Sequence, residues 1–276
     1  MRRIGIVGYG HLGQYLTQAI QESNDLELAF VWNRTMDLLT QEAKIPSDLV
    51  MRDLRQASEY KPDLIVEVSH PSVTFKHGEY FLQVCDFMIG SPTALADPAL
   101  EAKLKAKALE HGHGLYVPSG ALWGGEDIRK MADRGTLKGL CVTMRKHPTS
   151  FKIDGQLRAL NEQAKDASVT LYHGPVRALC PLAPNNVNTM AAAAIAAHNL
   201  GFDGVQGRLI SDPSLSDWHV VEVSVEGPEM HGQRFKVDTI RRNPAAIGAV
   251  SGSATYASFF SSTLLAHGKG AGVFLC

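Results

Sequence analysis

The chain has 276 residues, 45% hydrophobic and 20% charged, with a formal net charge of −1; that size and balance describe a globular protein and exclude a disordered or fibrous one. A near-neutral charge without a long basic run excludes the electrostatic footprint of a nucleic-acid binder. The four cysteines, Cys85, Cys141, Cys180 and Cys276, are too scattered for a zinc ribbon or a disulfide framework, so reduced thiols in the cytosol are expected.

Residues 4–7 form a short apolar run ending in glycines, and residues 12–20 place apolar side chains at helical spacing, which predicts strand, tight turn and helix. No apolar leader precedes that strand, so no secretory signal is expected. Residues 26–32, 64–68 and 87–89 are continuous apolar runs of the kind found in buried parallel strands, with helices between them. Residues 97–111 carry Leu100, Leu104 and Leu109 among lysines and glutamates, an amphipathic helix capped by Asp97, and residues 114–117 supply the next strand. After Pro118-Ser119-Gly120 the pattern shifts to alternation at 140–144 and 218–225, which suits strands covered on one face and marks a second domain. Residues 187–200 and 244–259 are predicted helices; the most apolar stretch of the former is too short and alanine-rich to cross a bilayer, which takes about 20 apolar residues. The expected class is α/β. It comprises a Rossmann dinucleotide-binding domain over residues 1–120, a second α/β domain over 121–243, and a helical C-terminal segment, 244–276, packing back on the first.

The turn Gly8-Tyr9-Gly10-His11-Leu12-Gly13 matches the dinucleotide fingerprint in spacing and in its strand and helix context. Gly8 permits the tight turn, Gly10 lets backbone approach the pyrophosphate, and Gly13 allows helix to pack on strand. His11 and Leu12 open the helix whose free N–H groups and dipole favour negative charge. At the end of the second strand, where an NAD enzyme carries an acidic residue for the ribose hydroxyls, stand Asn33 and Arg34. A neutral residue beside a guanidinium favours NADP or dual use of NADP and NAD, the alternative being a solvated Arg34. His219 opens the strand at 218–225 after the polar turn Asp212-Pro213-Ser214, a place where an imidazole can face a cleft. No pair of His, Cys or carboxylate residues shows a recognised metal-ligand spacing; His111 and His113 come nearest.

On these residues the chain resembles the L-aspartate dehydrogenase family over nearly its whole length. The resemblance is carried by the turn at 8–13, by Pro118-Ser119-Gly120-Ala121, by Pro184-Asn185-Asn186-Val187-Asn188 with its alanine-rich helix, and by Asp212-Pro213 leading to His219. It implies a homodimer in which an N-terminal Rossmann domain is joined to a C-terminal α/β domain that holds the substrate. The implied reaction oxidises L-aspartate to iminoaspartate with NAD or NADP, followed by hydrolysis to oxaloacetate and ammonia. It also implies that His219 is the active-site histidine and that Ala121 and Asn188 contact the cofactor, although Asn188 is equally suited to capping its helix. A dicarboxylic amino acid needs cationic partners, for which Arg145 and Lys146 with His147 are candidates and Arg241-Arg242 compete; a cluster at a strand end can also be merely solvated. Two other readings stay open. One is a dehydrogenase or reductase of another small amino or hydroxy acid, of the dihydrodipicolinate-reductase or homoserine-dehydrogenase kind, and the other is a non-catalytic NADP-binding sensor.

Overall fold

In a computed structural model that describes residues 1–43, 45–249 and 253–276, the strands run β1 (Arg2–Val7), β2 (Leu26–Trp32), β3 (Leu64–Glu67), β4 (Asp86–Ile89), β5 (Gly114–Val117), β6 (Gly139–Lys146), β7 (Val169–Pro175), β8 (Gln206–Ser211), β9 (Trp218–Met230), β10 (Gln233–Pro244) and β11 (Gly272–Leu275). Among the described residues they make one six-stranded sheet, in the order β2-β1-β3-β4-β5-β11, and one five-stranded sheet, in the order β10-β9-β6-β8-β7. The class is α/β, as the patterning predicts. Two units form around these sheets: Met1–Pro118 with Phe259–Phe274 and Cys276, and Ser119–Ser258 with Leu275.

In the first unit β1 pairs in parallel with β2 on one side and β3 on the other, and β4 and β5 continue in parallel. The chain therefore reverses its direction of travel across the sheet at β1, and in open α/β sheets ligands bind beyond the carboxyl ends of strands at such a point. Apolar runs at β1, β3 and β5 are buried because helices cover both faces of a parallel sheet. The helix Pro98–His111 has Asp97 as its N-cap, whose side chain accepts from the Leu100 N–H, and Gly112 in the left-handed conformation at its end. Its buried stripe is Leu100, Leu104 and Ala108, whereas Leu109, expected to share that face, is 65% exposed.

In the second unit β6 pairs antiparallel with β9 and in parallel with β8, and β9 forms a hairpin with β10. The hairpin turns through His231 and Gly232, both at positive φ. Sequence patterning stops β9 too early and overlooks β10, because the apolar members of its alternation, Phe235 and Val237, stay exposed on an edge strand instead of marking a core face. The expected helix over 244–259 is corrected: Pro244 ends β10 opposite Trp218, residues 245–249 are not helical, and a helix runs over Ser253–Leu265. Residues 250–252 of that expectation lie outside the described residues. Proline lacks the N–H that an interior ladder position needs but is tolerated at the end of an edge strand, so here it closes a strand rather than opening a helix. The expected helix over 187–200 is Asn188–Ala196, buried on nearly every side. No helix among the described residues is long and apolar enough to cross a membrane.

Gly5 of β1 shows how tightly the first sheet is packed: a Cβ there would lie 2.3 Å from the ring of fully buried Phe30. Gly5→Ala is expected to cost about 1–3 kcal/mol through overpacking, measured by urea denaturation, with partial recovery in Gly5→Ala/Phe30→Leu. An unchanged midpoint would show that the ring yields freely.

Candidate active site

The turn after β1 has the geometry that its sequence requires. Gly8 sits at φ +115°, where a Cβ would lie 2.9 Å from the Cβ and N of Ser69, and a Cβ on Gly13 would lie 2.1 Å from the Gly8 carbonyl oxygen. Gly10 is different, since a Cβ there meets nothing within 4 Å. The open space over Gly10, at a helix N-terminus with no side-chain cap, is the cradle that a dinucleotide pyrophosphate fits. His11 is exposed and Leu12 half-buried at the start of that helix. Asn33 closes the turn from the side of β2: its Oδ1 accepts the Tyr9 N–H at 3.2 Å and its Nδ2 donates to the Thr35 carbonyl at 3.0 Å. Arg34 is exposed, and no carboxylate among the described residues pairs with it.

Sequence reasoning missed Glu67. It ends β3 fully buried, and its carboxylate accepts from the N–H of Ser69 (2.7 Å), His70 (2.8 Å) and Ser91 (3.0 Å) and from the hydroxyls of Ser69 and Ser91. Burial pushes the carboxyl up, and the hydrogen bonds from Ser69 and Ser91 oppose that. The group thus ties the loops after β3 and β4 to the glycine turn, because Ser69 is the residue against which Gly8 packs. The signal was available: one acidic residue inside the run Leu-Ile-Val-Glu-Val.

In the second unit the register of three strands collects a polar row. Arg145 of β6 pairs with Val220 of β9, so Lys146 comes next to the position of His219, which itself pairs with Asn243 of β10. Lys146, His219 and Asn243 are 3%, 5% and 3% exposed. Burial lowers the Lys146 amine to about 8. Burial, reinforced by the Lys146 charge, lowers the His219 imidazole to about 4, against a backbone hydrogen bond with Ala249. The His219 ring is therefore neutral near pH 7, and its buried Nε2 has no hydrogen-bond partner among the described residues. A buried, unsatisfied ring nitrogen is costly to maintain.

The other sequence candidates divide. Arg145 lies one residue from Lys146 and so on the opposite face of β6. There it pairs with Asp212 at 3.5 Å and Glu222 at 3.4 Å, so its charge is already answered. Arg242 is exposed, whereas Arg241 shares the face of Asn243 and donates to its Oδ1 at 2.8 Å. Ala121 is buried directly after Gly120, whose carbonyl oxygen accepts from Arg241 and from the Ser258 hydroxyl. Asn188 is the first residue of its helix rather than the cap, which is Val187, and its Oδ1 is buried without a partner among the described residues. Asn243 was not anticipated, because nothing in the sequence distinguishes it from other strand-end asparagines. Among the described residues no group of three or more His, Cys, Asp or Glu could hold a metal ion.

Residues 127–262 match the C-terminal domain of aspartate dehydrogenase, and residues 8–118 match the NAD-binding domain of homoserine dehydrogenase. An aspartate dehydrogenase domain-containing protein of Xenopus tropicalis is 56% identical over 99% of this chain and 98% of its own. An L-aspartate dehydrogenase of Methanosarcina acetivorans is 31% identical over 82% of this chain and 84% of its own. The chain belongs to the aspartate dehydrogenase family. Its fold also resembles that of a solved aspartate dehydrogenase from Thermotoga maritima, with a TM-score of 0.69 over 96% of this chain and 94% of that one at 17% identity. Members of this family are oxidoreductases with a Rossmann-like NAD-binding domain, and the glycine turn with its Glu67 brace is that domain's ligand end in this chain.

Glu67→Gln would turn an amide N–H₂ towards at least one backbone donor, leaving it unsatisfied. It is expected to weaken nicotinamide cofactor binding about tenfold, a cost of about 1.4 kcal/mol, read by NADH fluorescence titration. Unchanged affinity would remove Glu67 from any role in the cofactor site.

Proposed function

We propose that the protein is an NAD(P)-dependent L-aspartate dehydrogenase that interconverts L-aspartate with iminoaspartate, which water hydrolyses to oxaloacetate and ammonia. The observation that carries this reading is the buried, unpartnered Nε2 of a neutral His219 beside the cation of Lys146. A bound nicotinamide supplies the hydride acceptor for the substrate α-carbon. That transfer needs the substrate ammonium to lose a proton first, and a neutral imidazole is the acceptor for it. An anionic substrate raises the His219 pKa by adding negative charge nearby, so the base strengthens when it is needed. Burial of the row excludes water and sharpens these electrostatic effects. Lys146 contributes the positive charge that faces a substrate carboxylate. Ala121 and Asn188 serve the nicotinamide in this reading, Asn188 through its unpartnered Oδ1. The absence of an acidic residue at Asn33, together with an exposed Arg34 that no carboxylate among the described residues pairs, favours NADP over NAD or use of both.

Oxidation of NADPH and of NADH is followed separately with oxaloacetate and ammonium. Turnover is expected to need both substrates and to fall by about 10²–10⁴ in His219→Ala with cofactor binding retained; no turnover in the parent protein overturns the reading. Affinity for oxaloacetate is expected to weaken as pH rises through about 8, where Lys146 loses its charge, and Lys146→Met should abolish that step. A faster reaction with NADPH that reverses in Arg34→Ala would assign the 2′-phosphate to Arg34.

We also propose a homodimer formed through β10. Phe235, Val237 and neighbouring Trp123 are 52%, 40% and 65% exposed and line one groove of about 440 Å³ on an edge strand, the kind of surface that a second copy covers. Analytical ultracentrifugation should show a dimer that Val237→Glu converts to a monomer. The four free cysteines fit a reducing compartment, in keeping with a cytosolic enzyme.

A further inference from the structure

Arg241 stands apart from most arginines of the chain. Arg3, Arg55, Arg145, Arg158, Arg177 and Arg234 each pair with a carboxylate. Half-buried Arg241 has only neutral acceptors, the Asn243 Oδ1 at 2.8 Å from its Nε and the Gly120 carbonyl oxygen at 3.2 Å from its Nη1, and no carboxylate among the described residues pairs with it. Holding a guanidinium partly out of water without a counter-charge costs free energy that an arriving anion recovers. The two neutral acceptors fix the plane of the fork while leaving its Nη2 edge to a ligand.

The surroundings supply the rest of an anion site. Arg241 lines a cavity of about 610 Å³ together with Ser119, Thr239 and Ser258. The Thr239 hydroxyl is buried and without a hydrogen-bond partner among the described residues, and the Ser258 hydroxyl donates to the same Gly120 carbonyl oxygen as Arg241. Thr239, Arg241 and Asn243 alternate along β10 and so share one face, which is also the face of His219, since Asn243 pairs with His219 and Arg241 pairs with Val221 two residues on. Asn243 spans both groups, accepting from Arg241 and donating from its Nδ2 to the His219 carbonyl oxygen at 3.5 Å.

We propose that Arg241, with the Thr239 hydroxyl, binds the side-chain carboxylate of the substrate and is the residue by which this chain selects a dicarboxylic over a monocarboxylic amino acid. The inference rests on His219 being the proton-transfer group of an amino-acid dehydrogenase. Asn243 is the positioning residue that ties the guanidinium to the backbone of His219, so that a dicarboxylic amino acid with a longer side chain would bind one end or the other but not both.

Two measurements test this. Reductive amination of oxaloacetate and of pyruvate is compared in the parent protein, Arg241→Met and Arg241→Lys. The ratio of kcat/KM for oxaloacetate over pyruvate is expected to fall about 10- to 100-fold in Arg241→Met, the loss of one charge-assisted bidentate contact, and by less in Arg241→Lys. An unchanged ratio in Arg241→Met overturns the proposal. Independently of turnover, Trp123, which borders the same cavity, reports binding of unreactive acids by its fluorescence. Succinate is expected to bind the parent protein and Arg241→Lys more tightly than butyrate does, and to lose that advantage in Arg241→Met. If succinate binds in this way but no keto acid turns over, the dehydrogenase reading fails while the carboxylate site stands. If turnover occurs and succinate binds no better than butyrate, the carboxylate site fails while the reading stands.

Discussion

The antiparallel pairing of β9 with β6 on one side and β10 on the other is the constraint on which the candidate site depends. Side chains alternate across a sheet with a period of two, so one residue of slip in either ladder would send a polar group to the wrong face. With the observed register, Lys146, His219 and Asn243 fall in one row, and Arg241 follows two residues along the edge strand. The same alternation turns Arg145 away from that row and into its ion pairs with Asp212 and Glu222. Chemistry that looks like a sequence cluster, Arg145-Lys146-His147, is thus divided by the pleat, and chemistry that is scattered over a hundred residues is gathered.

Burial acts in two contrasting ways in this protein. Glu67 is a fully buried carboxylate whose oxygens are answered by the serine and backbone donors of two loops, so it braces the ligand end of the first sheet. His219 is buried with no partner for its Nε2 among the described residues, and half-buried Arg241 meets only neutral acceptors there. A complete shell around a buried charge organises backbone; an incomplete one stores the potential for a ligand to complete it.

Lys146 and His219 also tune each other. Each is pushed towards its neutral form by loss of water, and the lysine charge further depresses the imidazole. Negative charge on an incoming substrate acts on both in the opposite direction. The pair is therefore responsive to the charge of what binds.

Much of the first unit was legible in the residues themselves. Its parallel strands are buried on both faces and so are written as continuous apolar runs, and the glycine spacing at 8–13 has a steric reason at each position that a Cβ would violate or leave open. The α/β class and the place of His219 at the head of its strand followed from local pattern and from resemblance. The hairpin of β9 and β10 was not legible, because an edge strand with exposed apolar residues carries no core signature, and a proline read as a helix start proved to be a strand end. Glu67 was visible as an oddity but not as a brace, since its partners at Ser69, His70 and Ser91 come from loops that only the sheet order brings together. Local residue order determined which elements form and where a dinucleotide would be cradled; cross-strand register, a property of pairing between distant segments, decided which charged side chains share a face.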